Sequence, residues 1–136
     1  MSYTQRPLPV TSDVTKPFWE AAANNKLIIQ KCATCEKHQF YPRLFCIHCL
    51  AEDLIWIDCT GSGTVYSYTI NHRAPNPFMK DRLPYVVAAI DLDEEVRMIA
   101  NIIDSPIDQV KIGAKVHVVF EKVSEDMSLP QFCLSK

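Results

Sequence analysis

From residue 54 onward, apolar and polar positions alternate with a period of two, the pattern of strands that bury one face. Residues 54–59 read as one strand and 64–73 as a long second one, rich in β-branched and aromatic side chains. Gly61-Ser62-Gly63 between them predicts a bend or bulge. Residues 85–92 and 96–103 form a hairpin around Asp93-Glu94-Glu95, whose charges suit a solvated turn. Residues 115–123 make a further strand with Val116, Val118 and Phe120 inward, and 131–135 are placed to close the sheet. Three prolines keep the loop 74–84 out of the sheet, while Phe78 and Met79 expose apolar mass there. Residues 107–110 predict a helical turn with Gly113 at its exit. About five main strands, bent near a glycine-rich start, predict a small Greek-key barrel of the OB type. A plain antiparallel sandwich is the fallback.

Upstream the pattern changes. Residues 1–14 are polar and proline-bearing and read as a flexible arm. Thr15 is placed to cap a short helix with Pro17 in its first turn, and Asn24-Asn25 to stop it. Phe18, Trp19, Ala22 and Ala23 supply its apolar side. That side either lids the core or offers Phe18 and Trp19 to another subunit. Residues 27–31 form a short strand leading into a cysteine-rich stretch that ends near residue 52. The chain thus divides into an arm and helix (1–26), a metal-binding ribbon (27–52) and a mainly β barrel (53–136).

The cysteines give the ribbon its chemistry. Cys32 and Cys35 form one Cys-x-x-Cys pair, Cys46 and Cys49 another, with ten residues between them. Each pair turns two sulfurs toward one point, and two pairs at this spacing build a tetrahedral thiolate cage for structural Zn²⁺. Two disulfides would require a secreted protein, and a rubredoxin-type iron shares the sulfur geometry. His38 and His48 are ligands by type, but four thiolates already fill the site and leave no position for water. Cys59 and Cys133 lie outside the cage in apolar, strand-like contexts that predict packing.

With 136 residues, a net charge of −2 and a pI near 6.0, the chain has no positive field for nucleic acid or acidic membranes. No apolar run is long enough for a signal core or a bilayer span, and with reduced cysteines this predicts a cytoplasmic location. No phosphate loop or nucleophile elbow is present. His72 ends the long strand and reads as a surface residue; His117 alternates with core positions and faces outward or an interface. Arg73, Lys80 and Arg82 flank Phe78 and Met79. Guanidinium forks suit phosphate oxygens and the apolar groups can cover an adenine or pantetheine arm; the plain alternative is an exposed charged loop.

In chain order these motifs resemble a family of small proteins with an N-terminal helix, a rubredoxin-like zinc ribbon and a C-terminal OB fold, associated with acyl-CoA enzymes. The resemblance covers residues 17–132. It rests on Phe18-Trp19, the cage cysteines, Tyr41-Pro42-Arg43, residues 61–69, His72-Arg73-Ala74-Pro75, residues 84–88, Ala100-Asn101, Ile112-Gly113 and residues 116–121. One departure is that Glu36 and Leu50 stand where the family's knuckle glycines are common. The resemblance implies a non-catalytic accessory subunit of a thiolase-fold enzyme acting on CoA thioesters. It would stabilise the partner and help form its CoA channel, with the loop 73–85 nearest CoA and Phe18 and Trp19 in docking. The catalytic residues would belong to the partner.

Two other functions compete. Zinc ribbons and OB barrels bind single-stranded nucleic acid, with Tyr66 and Tyr68 as stacking candidates, although the acidic charge opposes this. A stand-alone enzyme would use Cys59 or Cys133 as nucleophile, but neither has a neighbouring residue in sequence that would activate it.

Overall fold

A computed structural model describes residues 8–135, and among these residues the chain forms one α-helix and eight strands. The flexible-arm expectation for residues 1–7 lies outside the described residues. Helix α1 (Lys16–Ala23) is followed by β1 (Ile28–Cys32), β2 (His38–Gln39) and β3 (Leu54–Asp58), which form a small antiparallel sheet in the order β2-β1-β3. Then come β4 (Ser62–Asn71), β5 (Tyr85–Leu92), β6 (Arg97–Ile102), β7 (Lys115–Ser124) and β8 (Met127–Leu134). These five close into a barrel in the order β4-β5-β6-β8-β7, with β7 pairing back onto β4. The β6–β8 pairing is parallel and every other one antiparallel, the OB-type arrangement. Among the described residues no helix is long and apolar enough to cross a membrane.

Thr15 stands at the N-cap, but its side chain does not cap α1. Thr15 Oγ1 instead accepts from Ser12 N–H at 3.0 Å, while Lys16 N–H donates to Ser12 O at 2.8 Å, so the turn that starts the helix begins at Ser12. The helix stops as expected: Asn24 is the C-cap and Asn25 takes a left-handed φ of 61°.

Strand 54–59 was expected to open the barrel. It belongs to the ribbon sheet instead, where Leu54 pairs with Cys32 and Asp58 with Ile28. A sharp turn at Gly61 (φ +84°) separates it from β4, and a Cβ there would stand 2.6 Å from Val118 Cγ1. The missing barrel strand is supplied by β8, which begins four residues earlier than expected. The irregularity expected at residues 61–63 is met by the left-handed backbone of Gly61, and a second one lies further along β4, where register shifts between Val65 and Ser67. The hairpin acids also do more than meet solvent. Glu94 Oε2 accepts from Thr60 N–H at 3.0 Å, and Thr60 Oγ1 donates to Asp93 Oδ2 at 3.4 Å, tying the β5–β6 tip to the start of β4.

Alternation on the strands delivers one shared core. Val65, Val86, Ala88, Ile90, Met98, Val116 and Phe132 fill the barrel, and Phe18, Leu27 and Ile29 join the same cluster from the helix and ribbon. Burying side chains of this size contributes roughly 1.5–3 kcal/mol each. The helix and ribbon therefore sit on the barrel through apolar packing.

Candidate metal centre and binding surfaces

The two cysteine pairs build matching turns. Cys32 N–H donates to Lys37 O and Glu36 N–H to Cys32 O, at 2.9 and 2.8 Å. In the second turn Cys46 N–H donates to Ala51 O and Leu50 N–H to Cys46 O, at 2.8 and 2.9 Å. Each turn closes through a left-handed residue, Glu36 (φ 65°) and Leu50 (φ 69°), the two positions where glycine was expected by resemblance. Backbone amides also point at sulfur: Cys35 N–H lies 3.5 Å from Cys32 Sγ and His48 N–H 3.3 Å from Cys46 Sγ.

The four sulfurs lie within 4.8 Å of one another, and both Cys32–Cys49 and Cys35–Cys46 are separated by 3.6 Å. A tetrahedron with metal–sulfur bonds of about 2.3 Å has edges of about 3.8 Å, so the cage fits Zn²⁺. All six cysteines are free thiols, which sets aside the disulfide reading. Cys32 and Cys46 are fully buried while Cys49 is exposed, so the cage is anchored to the core from one side.

Without metal the thiols titrate as a group. Burial opposes ionisation of Cys46, but the amides of Cys49 and His48 and the neighbouring sulfurs hold it at about 6. The Ala51 amide favours the Cys49 thiolate, yet burial and three adjacent sulfurs push that thiol up to about 12. Cys35 is likewise raised, its amide bond from Lys37 outweighed by burial and the Cys46 sulfur. One thiolate is thus ready at neutral pH, and metal must displace protons from Cys35 and Cys49.

A buried polar pair beneath the cage went unseen in the sequence. Gln39 donates from Nε2 to Gln30 Oε1 at 2.8 Å and accepts from Ile47 N–H at 2.9 Å. Gln30 in turn accepts from Arg43 N–H at 2.8 Å and donates to Arg43 O at 2.9 Å. The two glutamines therefore hold the backbone of the loop joining the knuckles. No local pattern announces this pair: β1 buries the adjacent Ile29 and Gln30, β2 is only two residues long, and the two glutamines meet through the β1–β2 register.

The expected docking and CoA residues divide. Phe18 is 2% exposed and belongs to the core, where it meets Trp19, Phe40 and Tyr41 edge-on or tilted. Trp19 is partly buried and borders a groove of about 660 Å³, together with Phe40, Met98, Leu129 and Pro130. In the loop 74–84, Phe78 and Met79 are half-buried and not fully exposed, because residues Pro77–Arg82 wind into a 3₁₀ turn capped by Asn76 Oδ1 on Met79 N–H. Arg82 is committed to Glu121 at 2.7 Å and lies over the Phe78 ring at 5.7 Å, so a phosphate would have to displace a carboxylate. Arg73 and Lys80 are exposed. The stacking candidates fare poorly: Tyr68 packs against the core, and the Tyr66 ring is covered by Arg97 at 3.4 Å. Leu44, Phe45, Ile47 and Leu50 project from the ribbon, with Leu44 and Leu50 72% and 70% exposed.

Comparison with known proteins places this geometry. Residues 19–54 match the family model described as "ChsH2, rubredoxin-like zinc ribbon domain", and residues 56–121 match "ChsH2, C-terminal OB-fold domain". A "DUF35 domain-containing scaffold protein" of Methanocaldococcus jannaschii is 37% identical over 74% of this chain and 71% of its own length. The chain belongs to the DUF35 family. A solved structure, "Ltp2-ChsH2(DUF35) aldolase", superposes with a TM-score of 0.84 at 31% identity, covering 93% of this chain and 98% of that one. A "Probable enoyl-CoA hydratase alpha subunit" of Thermomonospora curvata is 33% identical over 93% of this chain, which spans only 39% of that relative's length. The DUF35 chain thus corresponds to one segment of the hydratase subunit and to nearly all of the matched chain in the aldolase structure.

Proposed function

We propose that this DUF35 protein is a non-catalytic accessory subunit of a hetero-oligomeric enzyme acting on acyl-CoA thioesters. The observation that carries the reading is the closed cage. All four metal positions are thiolates, so a bound zinc braces the ribbon and has no open site for water or substrate. Relatives named as a scaffold, as a hydratase alpha subunit and as part of an aldolase support a role beside a separate catalytic chain. The apolar projections Leu44, Phe45, Ile47 and Leu50 are the kind of surface that a partner covers.

The finer reading is a thiolase-fold partner, with this chain completing its CoA channel. Arg73 and Lys80 are the phosphate ligands of choice, because both are exposed while Arg82 is held by Glu121. Phe78 and Met79 line the same loop for the pantetheine or adenine part, and Trp19 contributes to docking beside the groove. Co-purification with an acyl-CoA enzyme, together with no turnover by the isolated zinc-loaded chain on an acyl-CoA panel, is the expected result. Turnover by the isolated chain would overturn it.

A further inference from the structure

On the outer face of the barrel β7 brings His117 beside Cys133 of β8 and Ser135 just after it. His117 pairs with Cys133 across the strands. Cys133 Sγ lies 2.9 Å from His117 Nε2 and 3.8 Å from Nδ1, and Ser135 Oγ lies 3.1 Å from Nδ1. With Nδ1–H donating to Ser135, Nε2 is the ring nitrogen without a proton, and it is the one closer to the thiol. His117 is exposed and Cys133 half-buried, so a reagent can reach the sulfur. Lys115, two residues before His117 on β7, is turned to the other neighbouring strand, where its ammonium donates to Thr64 Oγ1 at 3.0 Å, so the dyad stands without a cation from β7. This thiol lies outside the metal cage and serves no packing role that requires sulfur. Burial and the Asp104 carboxylate raise it above its ordinary value, so it rests as a neutral thiol that needs a base to react.

We propose that Cys133, with His117 as proton acceptor and Ser135 orienting the imidazole, is an acyl-acceptor site that takes an acyl group from a thioester. The choice of thioester rests on the acyl-CoA reading above. Sγ attacks the thioester carbonyl as its proton passes to His117 Nε2. The carbon–sulfur bond to the departing thiol then breaks, and the imidazolium returns the proton to that thiolate. One thioester replaces another, with no oxidant, reductant or further reactant.

The test uses the full zinc-loaded chain, incubated in parallel with acetyl-CoA and with the acetyl thioester of N-acetylcysteamine, which lacks the nucleotide. Peptide mass mapping follows acetylation of each cysteine, with Cys59 as internal reference. Cys59 is pushed up to about 12 by burial and Glu94. Acetylation concentrated at Cys133 with either reagent, slowed about tenfold or more by His117→Gln and abolished by Cys133→Ser, is the expected result. No acetylation of Cys133 with either reagent, a rate no faster than at Cys59, or a rate indifferent to His117→Gln would overturn the proposal. The N-acetylcysteamine arm needs neither CoA nor a partner, so its result is separate from whether the chain assembles with an acyl-CoA enzyme.

Discussion

Gln39 Nε2 donates a hydrogen bond to Gln30 Oε1 across 2.8 Å inside the ribbon, and both residues are almost fully buried. Through this contact β1 and β2 fix the backbone at Arg43, Phe45 and Ile47, next to Cys46. Gln39→Leu keeps the volume but strands the Ile47 amide and the Phe45 carbonyl. Each stranded group costs about 1–3 kcal/mol. Urea unfolding should show the loss, and chelator competition should show faster zinc release, because the second knuckle loses its support.

Glu36 and Leu50 adopt left-handed backbone that costs an L-residue about 1–2 kcal/mol. Glu36→Gly and Leu50→Gly should therefore each stabilise the zinc-loaded protein by up to about 1 kcal/mol, after glycine's greater unfolded-state entropy is counted. A thermal melt of the single and double variants reads this directly. The two sites lie on separate knuckles, so their effects should add.

Gly63 tests the opposite case. A Cβ there would meet Ile90 Cγ2 at 2.8 Å and the Asp91 carbonyl oxygen at 2.9 Å, and the carbonyl belongs to the paired strand and cannot swing aside. Gly63→Ala should cost about 1–3 kcal/mol in denaturant unfolding. Gly113 has open space around its Cβ position but a φ of +89°, so Gly113→Ala should lose only about 1 kcal/mol of backbone preference.

Metal binding should depend on pH with a definite sign. At pH 7 the Cys46 thiol, held at about 6, is already ionised, while Cys35 and Cys49 still carry protons that zinc displaces. Apparent affinity therefore rises with pH, by about tenfold per unit for each proton displaced. Below about pH 6 Cys46 also holds a proton in the metal-free state, so the dependence steepens and metal-linked stability is lost. A zinc-chelator competition series from pH 5 to pH 8 checks both slope and sign; a flat profile would contradict the four-thiolate assignment.

The parts legible in the sequence were those with a local signal. The cage cysteines announce themselves by spacing, and the runs that became β5 and β6 announce themselves as short apolar stretches on either side of an acidic turn. What stayed hidden depends on pairings between distant residues. Nothing local says that Leu54 pairs with Cys32 and not with the barrel, or that His117 meets Cys133. Arg82 looked like a free cation until Glu121, thirty-nine positions later, was seen to hold it. Phe18 looked available to a partner because an eight-residue helix does not reveal which aromatic faces inward.

That division gives a clean contrast between neighbours. Phe18→Ala should cost about 3–5 kcal/mol of folding stability, as an aromatic leaving a packed core. Trp19→Ala should cost less in the isolated chain, and by the docking proposal it should weaken association with the catalytic partner more than it weakens folding. Paired unfolding and binding measurements separate the two.

The most direct test of the whole account follows the catalytic partner. Once isolated with this chain, that enzyme should be measured for melting temperature and CoA affinity before and after the zinc-loaded subunit is removed. The account predicts that one or both fall on removal and recover when the subunit is added back. Undiminished stability, CoA affinity and turnover in the partner alone would contradict it.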